Sequence, residues 1–364
     1  MTAAGKFLAP SKSHRHAIVM AGGAGERFWP RSRRAHPKPL MRVLGAQSLL
    51  DAALAHARRF AGPDRVWIVC TEENAAAIRA ASGLPRSRVL VEPQGRNTAM
   101  AVGFAAARVA AVDPGAVLAV LSADHVIPDA RAFGAALQRA AQAAQTGALV
   151  TLGIQPTRPE TGYGYIRVGA AVGRAHPGVH RVGRFIEKPS AAVAKRLLRA
   201  GGHLWNAGIF VWQAASILAE IERCTPEMKD ALAQVRKAGT RAALERAYRR
   251  APALPVDVAV LERSDRVWTL PVRFHWSDVG NWASLAAELG VGASQSCVVA
   301  GEALLEDAAG NLIWGEDRLI ALLGVEGLAV VDTGDVLLIA RLDRAGDVRA
   351  LVKQLRARGR HDLL

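Results

Sequence analysis

AIVMAGGAGERFWPRSRRAHPKPL, residues 17–40, carries an apolar run directly into a glycine cluster and then into five cations that share one acid. The run shows no polar alternation, the mark of a strand buried on both faces of a parallel sheet. Gly22, Gly23 and Gly25 let the backbone behind that strand reach positive φ and turn amide N–H groups toward an anion. The loop lacks the Gly-Lys-Ser/Thr ending of a Walker A loop, and Phe28 stands where a dinucleotide fingerprint needs its third glycine. Pro30, Pro37 and Pro39 keep the segment out of a regular helix, so its cations do not form one solvated helical face. A glycine turn alone often only joins two elements. With Arg27 and Lys38 beside it, a phosphate-binding loop is the favoured reading: amides take the oxygens and the two cations hold charge as it develops. Arg31, Arg33 and Arg34 read as surface charge.

The same texture repeats downstream. RVWIVCT (65–71), RVLVEP (88–93) and AVLAVLSAD (116–124) are further apolar runs, with helical stretches near 48–60, 73–82 and 98–112 between them. Alternation of this kind predicts an α/β domain around a mainly parallel sheet, with ligands beyond the carboxyl ends of the strands. From about Gly153 the pattern shifts to GYGYIRV, GRFIEKP and WNAGIFVW, which read as antiparallel or edge strands. After a helix that stops at Gly290, short apolar segments separated by Gly, Asp and Asn predict a small all-β module, closed by an amphipathic helix over 345–359. The expected division is a disordered tail over 1–15, a catalytic domain over 16–290 and the module over 291–364.

Composition sets outer limits. A chain of 364 residues favours two domains. No apolar segment nears the roughly 18 residues of a membrane span, so no membrane crossing is expected. The basic start lacks an apolar signal-peptide region, and Cys70, Cys224 and Cys297 offer neither a metal spacing nor a disulfide framework, which places the chain in the cytoplasm. The net charge of +15 attracts anions of every kind. Without basic–aromatic interleaving or a recognition motif it does not point to nucleic acid.

Three further groups carry candidate chemistry. Asp124 in LSADH ends an apolar run, where a buried carboxylate needs a partner: either a divalent cation or a capping role. Asp278 in HWSDVGNW is a second acid among aromatics, although Ser277 or Asp278 is equally suited to cap the helix near Asn281. Two carboxylates with phosphate oxygens suit Mg²⁺. In EPQGRNT, Asn97 and Thr98 either cap the next helix or point donors into the cleft, and Glu92 is an acceptor matched to the N1 and N2 edge of guanine. Gly164, Glu187, Lys188 and Asn206 assemble the acid, cation and amide that suit sugar hydroxyls and a phosphate monoester, although each alone reads as an ordinary surface group.

With these residues in order, the chain resembles the sugar-1-phosphate nucleotidylyltransferases, and among them the mannose-1-phosphate guanylyltransferases. AGGAGERFWPRSRRAHPKPL, VEPQGRNTAMAVGFAA, LSADHVIPD, GYGYIRVG, RFIEKPS, WNAGIFVW, VDVAVLER and HWSDVGNWASL carry the likeness, over about 16–289. The resemblance implies a Rossmann-like domain with a mixed, mainly parallel sheet, Mg²⁺, and reaction of GTP with a sugar 1-phosphate, as mannose 1-phosphate, to give GDP-sugar and pyrophosphate. It implies Arg27, Lys38 and Asp124 as catalytic residues, and Asp124 with Asp278 as metal ligands. Gly22, Gly23, Gly25, Glu92, Asn97 and Thr98 fall to the nucleotide, and Gly164, Glu187, Lys188 and Asn206 to the sugar phosphate. A homodimer and a left-handed β-helix-like C-terminal module are compatible with it. Glu26 departs from the family's usual Thr and puts an acid beside the phosphates. Another hexose or heptose 1-phosphate, another nucleoside triphosphate, or a non-catalytic sugar-nucleotide binder are the rival readings. Retention of Asp124, Asp278, Arg27 and Lys38 speaks against the last.

Overall fold

The computed structural model describes residues 14–23, 25–43 and 45–364. A sheet of nine strands runs through it: β1 (Arg15–Met20), β2 (Val66–Thr71), β3 (Val89–Glu92), β4 (Val117–Ser122), β5 (Leu149–Ile154), β6 (Tyr165–Ala171), β7 (His180–Ile186), β8 (His203–Gln213) and β9 (Val267–Val272). Their order is β3-β2-β1-β4-β8-β5-β9-β7-β6, with β6 also pairing to β8. β1 to β4 are mutually parallel, β5 and β9 are parallel, and β8 runs antiparallel to both β4 and β5. Successive residues of β1 serve opposite layers. Ala17 and Val19 pack with the helices Leu49–Ala61 and Ala130–Ala144, while Ile18 packs with Asn97–Val112 and Ala214–Cys224. A strand covered on both faces has to be apolar throughout, which is why β1 and β4 show no alternation.

The chain leaves β1 in one direction to β2 and β3, then returns to place β4 on the other side of β1. Such a switch opens a crevice at the carboxyl ends of the strands. The glycine loop follows β1, Glu92 ends β3 and Ser122 ends β4, so three sequence motifs converge on that crevice.

Beyond the helix Trp282–Glu288, six short strands form the C-terminal part: β10 (Cys297–Ala300), β11 (Ala303–Glu306), β12 (Leu312–Trp314), β13 (Ile320–Leu323), β14 (Leu328–Asp332) and β15 (Leu337–Arg341). β10, β12 and β14 stack in parallel, as do β11 and β13, which gives the coils of a short β-helix; β15 closes it antiparallel to β14. The helix Val348–Ala357 follows. Of the tail expected over 1–15, residues 1–13 lie outside the described residues. The last two belong to the fold: His14 bonds Asp113 at 2.9 Å and Arg15 opens β1.

One apolar cluster spans the two parts. Phe28 and Trp29 of the glycine loop join Val279, Trp282 and Leu285, and the module adds Trp314, Val331, Val348 and Val352. Trp282 is fully buried at its centre, edge-on to Phe28 at 4.9 Å and to Trp314 at 6.0 Å, and its Nε1–H donates to the Trp29 carbonyl at 3.2 Å. The arginines read as surface charge sit at this same junction, and that reading is corrected for two of them. Arg31 bonds Glu316 at 2.7 Å and lies over Trp314, and Arg33 forms a bidentate pair with Asp335 at 2.6 and 2.7 Å. Arg34 is exposed. Truncating Trp282 to Ala is expected to cost roughly 3–5 kcal/mol, read as a lowered urea midpoint with an unchanged slope.

Candidate active site

Two adjoining cavities occupy the crevice, sharing Met20, Thr98 and Ser122 in their walls. The larger, about 490 Å³, is lined by Gly22, Gly23, Gly25, Arg27, Lys38, Glu92, Asn97, Thr98 and Asp124, so every residue read as catalytic or nucleotide-binding faces it. The smaller, about 240 Å³, is lined by Gly164, Glu187, Lys188, Asn206 and Asp278.

The glycine loop is held tightly. Gly25 has φ +62°, and a Cβ there would fall on the Ser32 hydroxyl and 2.8 Å from Lys38 Cβ. Glycine at this position therefore keeps the loop against Lys38. Lys38 is buried, with Nζ 2.6 Å from Asp124 Oδ2, 3.0 Å from the Asp278 carbonyl and 5.2 Å from the Phe28 ring centre. One ammonium thus ties a residue of the first cavity to a residue of the second. Asp124 also accepts from the Ser122 hydroxyl. Burial works against its charge, but the Lys38 ammonium and that hydroxyl outweigh it and hold the carboxyl well below the usual range.

Asp278 does not cap the following helix. Asn281 does so, its Oδ1 taking the Ser284 N–H at 2.9 Å, while Asp278 Oδ1 accepts from the Tyr163 hydroxyl at 2.8 Å. Burial, then the Asp278 charge, keeps that phenol protonated. His125 follows Asp124 in the chain, lines the smaller cavity with Asp278 and is kept neutral chiefly by burial; its Nδ1 accepts from Trp276 Nε1–H at 3.3 Å. Asn97 takes φ +60° and its side chain accepts the Thr98 N–H at 2.8 Å. Thr98 instead receives the Val256 N–H at 2.9 Å, fastening the wall shared by the two cavities. Arg27 is exposed and has no partner among the described residues.

In the smaller cavity, Gly164 leaves room for Glu187: a Cβ at residue 164 would lie 2.8 Å from Glu187 Oε2. Lys188 donates to Glu187 Oε1 at 2.7 Å. The Asn206 amide is committed within the protein, donating to Asp257 at 2.9 Å and accepting from Thr151 at 2.8 Å. Asn206 thus shapes the wall and positions Asp257. Sequence reading missed Asp257, Tyr163 and His125. GYGYIRV and LSADH carried two of these, and Asp257 sits in VDVAVLER without any local cue to its burial.

Residues 16–289 match the nucleotidyl transferase family and residues 301–355 the MannoseP isomerase/GMP-like beta-helix domain. The chain belongs to the nucleotidyl transferase family. Among curated relatives, it is 36% identical to the alginate biosynthesis protein AlgA of Pseudomonas aeruginosa, covering 95% of this chain and 73% of that protein. It is 34% identical to a mannose-1-phosphate guanylyltransferase of Escherichia coli, covering 97% and 76%. A crystal structure from Thermus thermophilus, described as a mannose-1-phosphate geranyltransferase, superposes with a TM-score of 0.86 at 35% identity over 94% of this chain and 99% of that one.

Two acids of the site sit above their ordinary values. Burial pushes Glu92 from 4.5 to about 7, and burial reinforced by the Glu187 charge pushes Asp257 from 3.8 to about 7. Their folded-state pKa is raised, so between about pH 4 and pH 7 the folded chain binds more protons than the unfolded one. Their contribution is fully present below that window, and stability falls through it by up to about 1.4 kcal/mol per pH unit per group. Asp257→Asn and Glu92→Gln should therefore gain stability relative to wild type at pH 8 and much less at pH 5, measured by urea denaturation at both. An equal change at the two pH values would contradict the raised pKa values.

Proposed function

We propose that this chain is a mannose-1-phosphate guanylyltransferase, joining GTP and mannose 1-phosphate to give GDP-mannose and pyrophosphate. The observation that carries this is the pair of adjoining cavities, one phosphate-ready and one sugar-sized, joined through Lys38. The name of the Escherichia coli relative supports the particular sugar and nucleotide. Glu92 supports a guanine: it ends β3 in the wall of the larger cavity, and a carboxylate there accepts from the N1–H and N2–H edge.

No general base is needed. A sugar phosphate is largely dianionic at neutral pH. Its oxygen forms a bond to the α-phosphorus of GTP, the bond from that phosphorus to the β-bridging oxygen breaks, and pyrophosphate leaves with the electron pair. The protein aligns two repelling anions and balances developing charge. Arg27 and the loop amides hold the triphosphate, and Lys38 faces the phosphate being transferred. Lys188 and Glu187 take the sugar phosphate and its hydroxyls.

Asp124 and Asp278 fit Mg²⁺. Asp278 Oδ1 and both Asp124 oxygens are engaged by single hydrogen bonds and keep further lone pairs, and among the described residues no third acid, His or Cys joins them. That donor set suits an ion that takes one or two carboxylates and completes its shell from phosphates and water. When bound, it would draw charge from the phosphate oxygens. The three cysteines are free, as a reducing compartment requires, and we place the enzyme in the cytoplasm.

Incubation with Mg²⁺, a panel of nucleoside triphosphates and several sugar 1-phosphates is expected to release pyrophosphate fastest with GTP and mannose 1-phosphate. Faster release with another pair would reassign the substrates, and no release with any pair would indicate a non-catalytic binder. Lys38→Ala should lower kcat by about 100-fold or more while GTP affinity stays within about tenfold. Near-normal turnover would remove Lys38 from the chemistry.

A further inference from the structure

The larger cavity has one wall residue from the far end of the chain. Arg349, in the first turn of the helix Val348–Ala357, faces the same space as Gly25, Arg27 and Lys38. No other residue beyond Gly280 lines that cavity among the described residues. The helix packs on the turn Glu26–Phe28 of the glycine loop, and the helix with the short turn His361–Leu363 after it is fixed there by three kinds of contact. Val348 and Val352 are buried in the core shared with Phe28 and Trp282. Arg356 pairs with Glu26, and Trp29 Nε1–H donates to the Leu363 carbonyl at 2.8 Å. Residues 349, 352 and 356 recur at helical spacing on one face, so seating Val352 and pairing Arg356 directs Arg349 to the cavity.

Position separates the cations of this segment. Arg341, Arg344, Arg356 and Arg360 all pair with carboxylates, and of the cations Arg349, Lys353 and Arg358, which have no side-chain partner among the described residues, Arg349 is the one that lines the cavity. The acid at the N-cap of its helix, Asp347, is paired with Arg344, and the first turn contains no acid. An unpaired cation at a helix N-terminus opposes the helix dipole, and an anion at that place removes the conflict. Glu26, the acid that looked misplaced beside a phosphate site, is taken up by Arg356, so its charge does not meet the ligand unbalanced.

We infer that Arg349 is a nucleotide-site residue contributed by the C-terminal module, which binds the outer phosphates of the nucleoside triphosphate and the pyrophosphate formed from them, with the Glu26–Arg356 pair holding its helix in position. This rests on the proposed nucleotidyl transfer for the identity of the anion. It makes the module part of the active site, so a change in the module's docking alters triphosphate affinity.

The test is titration of the full chain with inorganic pyrophosphate by calorimetry, together with separate KM values for GTP and mannose 1-phosphate. Arg349→Ala is expected to weaken pyrophosphate binding and raise the KM for GTP by roughly tenfold or more. Its KM for the sugar phosphate should stay within about twofold, with the melting temperature unchanged. Arg349→Lys, which keeps the charge and loses the fork, should recover part of the loss. Arg356→Ala should shift the same two quantities in the same direction by less. Pyrophosphate binding equal to wild type in Arg349→Ala overturns the inference, as does a parallel rise of both KM values or a wild type that binds no pyrophosphate. A wild type that binds pyrophosphate but turns over no substrate pair defeats the functional reading instead, and Arg349 is then still judged by the titration.

Discussion

Everything at the site depends on the apolar junction in which Trp282 is enclosed by Phe28, Trp29 and Trp314. A glycine-rich loop has little side-chain surface with which to hold itself, and glycine gives up more backbone freedom on ordering than any other residue. The aromatic pair that follows the glycines supplies the missing burial. Its partners come from the helix Trp282–Glu288 and from the module, so the loop is clamped between two parts of the chain. Phe28 also places its ring face near Lys38, which couples the clamp to the buried cation of the site.

Around that junction the excess of positive charge is sorted by partner. Arg31 and Arg33 are taken up by Glu316 and Asp335, and Glu26 is matched by Arg356. Exposed pairs of this kind contribute little stability each, about 0–1 kcal/mol. Their effect is positional: they hold the module in one orientation against the loop. Arg27 and Arg349 remain unpaired at the cavity among the described residues, and Lys38 is balanced by Asp124. A net charge of +15 therefore says little, whereas two unpaired guanidiniums lining one cavity mark where a polyanion fits.

The acids are divided in a similar way. Asp124, beside Lys38, is held ionised, as a metal ligand or charge balance must be. Glu92 and Asp257 are held near neutrality by burial, which costs stability at high pH and leaves acceptors that a ligand's N–H or O–H groups can satisfy. Binding sites commonly retain such unfavourable groups because the ligand relieves them.

The sequence alone determined the α/β alternation, the strand ends that carry the motifs and the division of candidate residues into two groups, which the fold places in two adjoining cavities. Each is a local signal: unbroken apolar runs record strands covered on both faces, and glycines or acids at their ends record the crevice. Asp124, Lys38 and Gly25 could be picked out because their oddity is local, an acid ending an apolar run or a glycine beside cations. Tertiary structure decided what depends on distant partners. Arg31 and Arg33 looked like surface charge because Glu316 and Asp335 lie some three hundred residues away. Glu26 looked misplaced because Arg356 is in the helix Val348–Ala357, and Arg349 carried no mark at all. Side-chain pairing over such separations leaves no periodicity in the chain, so only the docking of the module onto the glycine loop could reveal which charges cancel and which face the ligand.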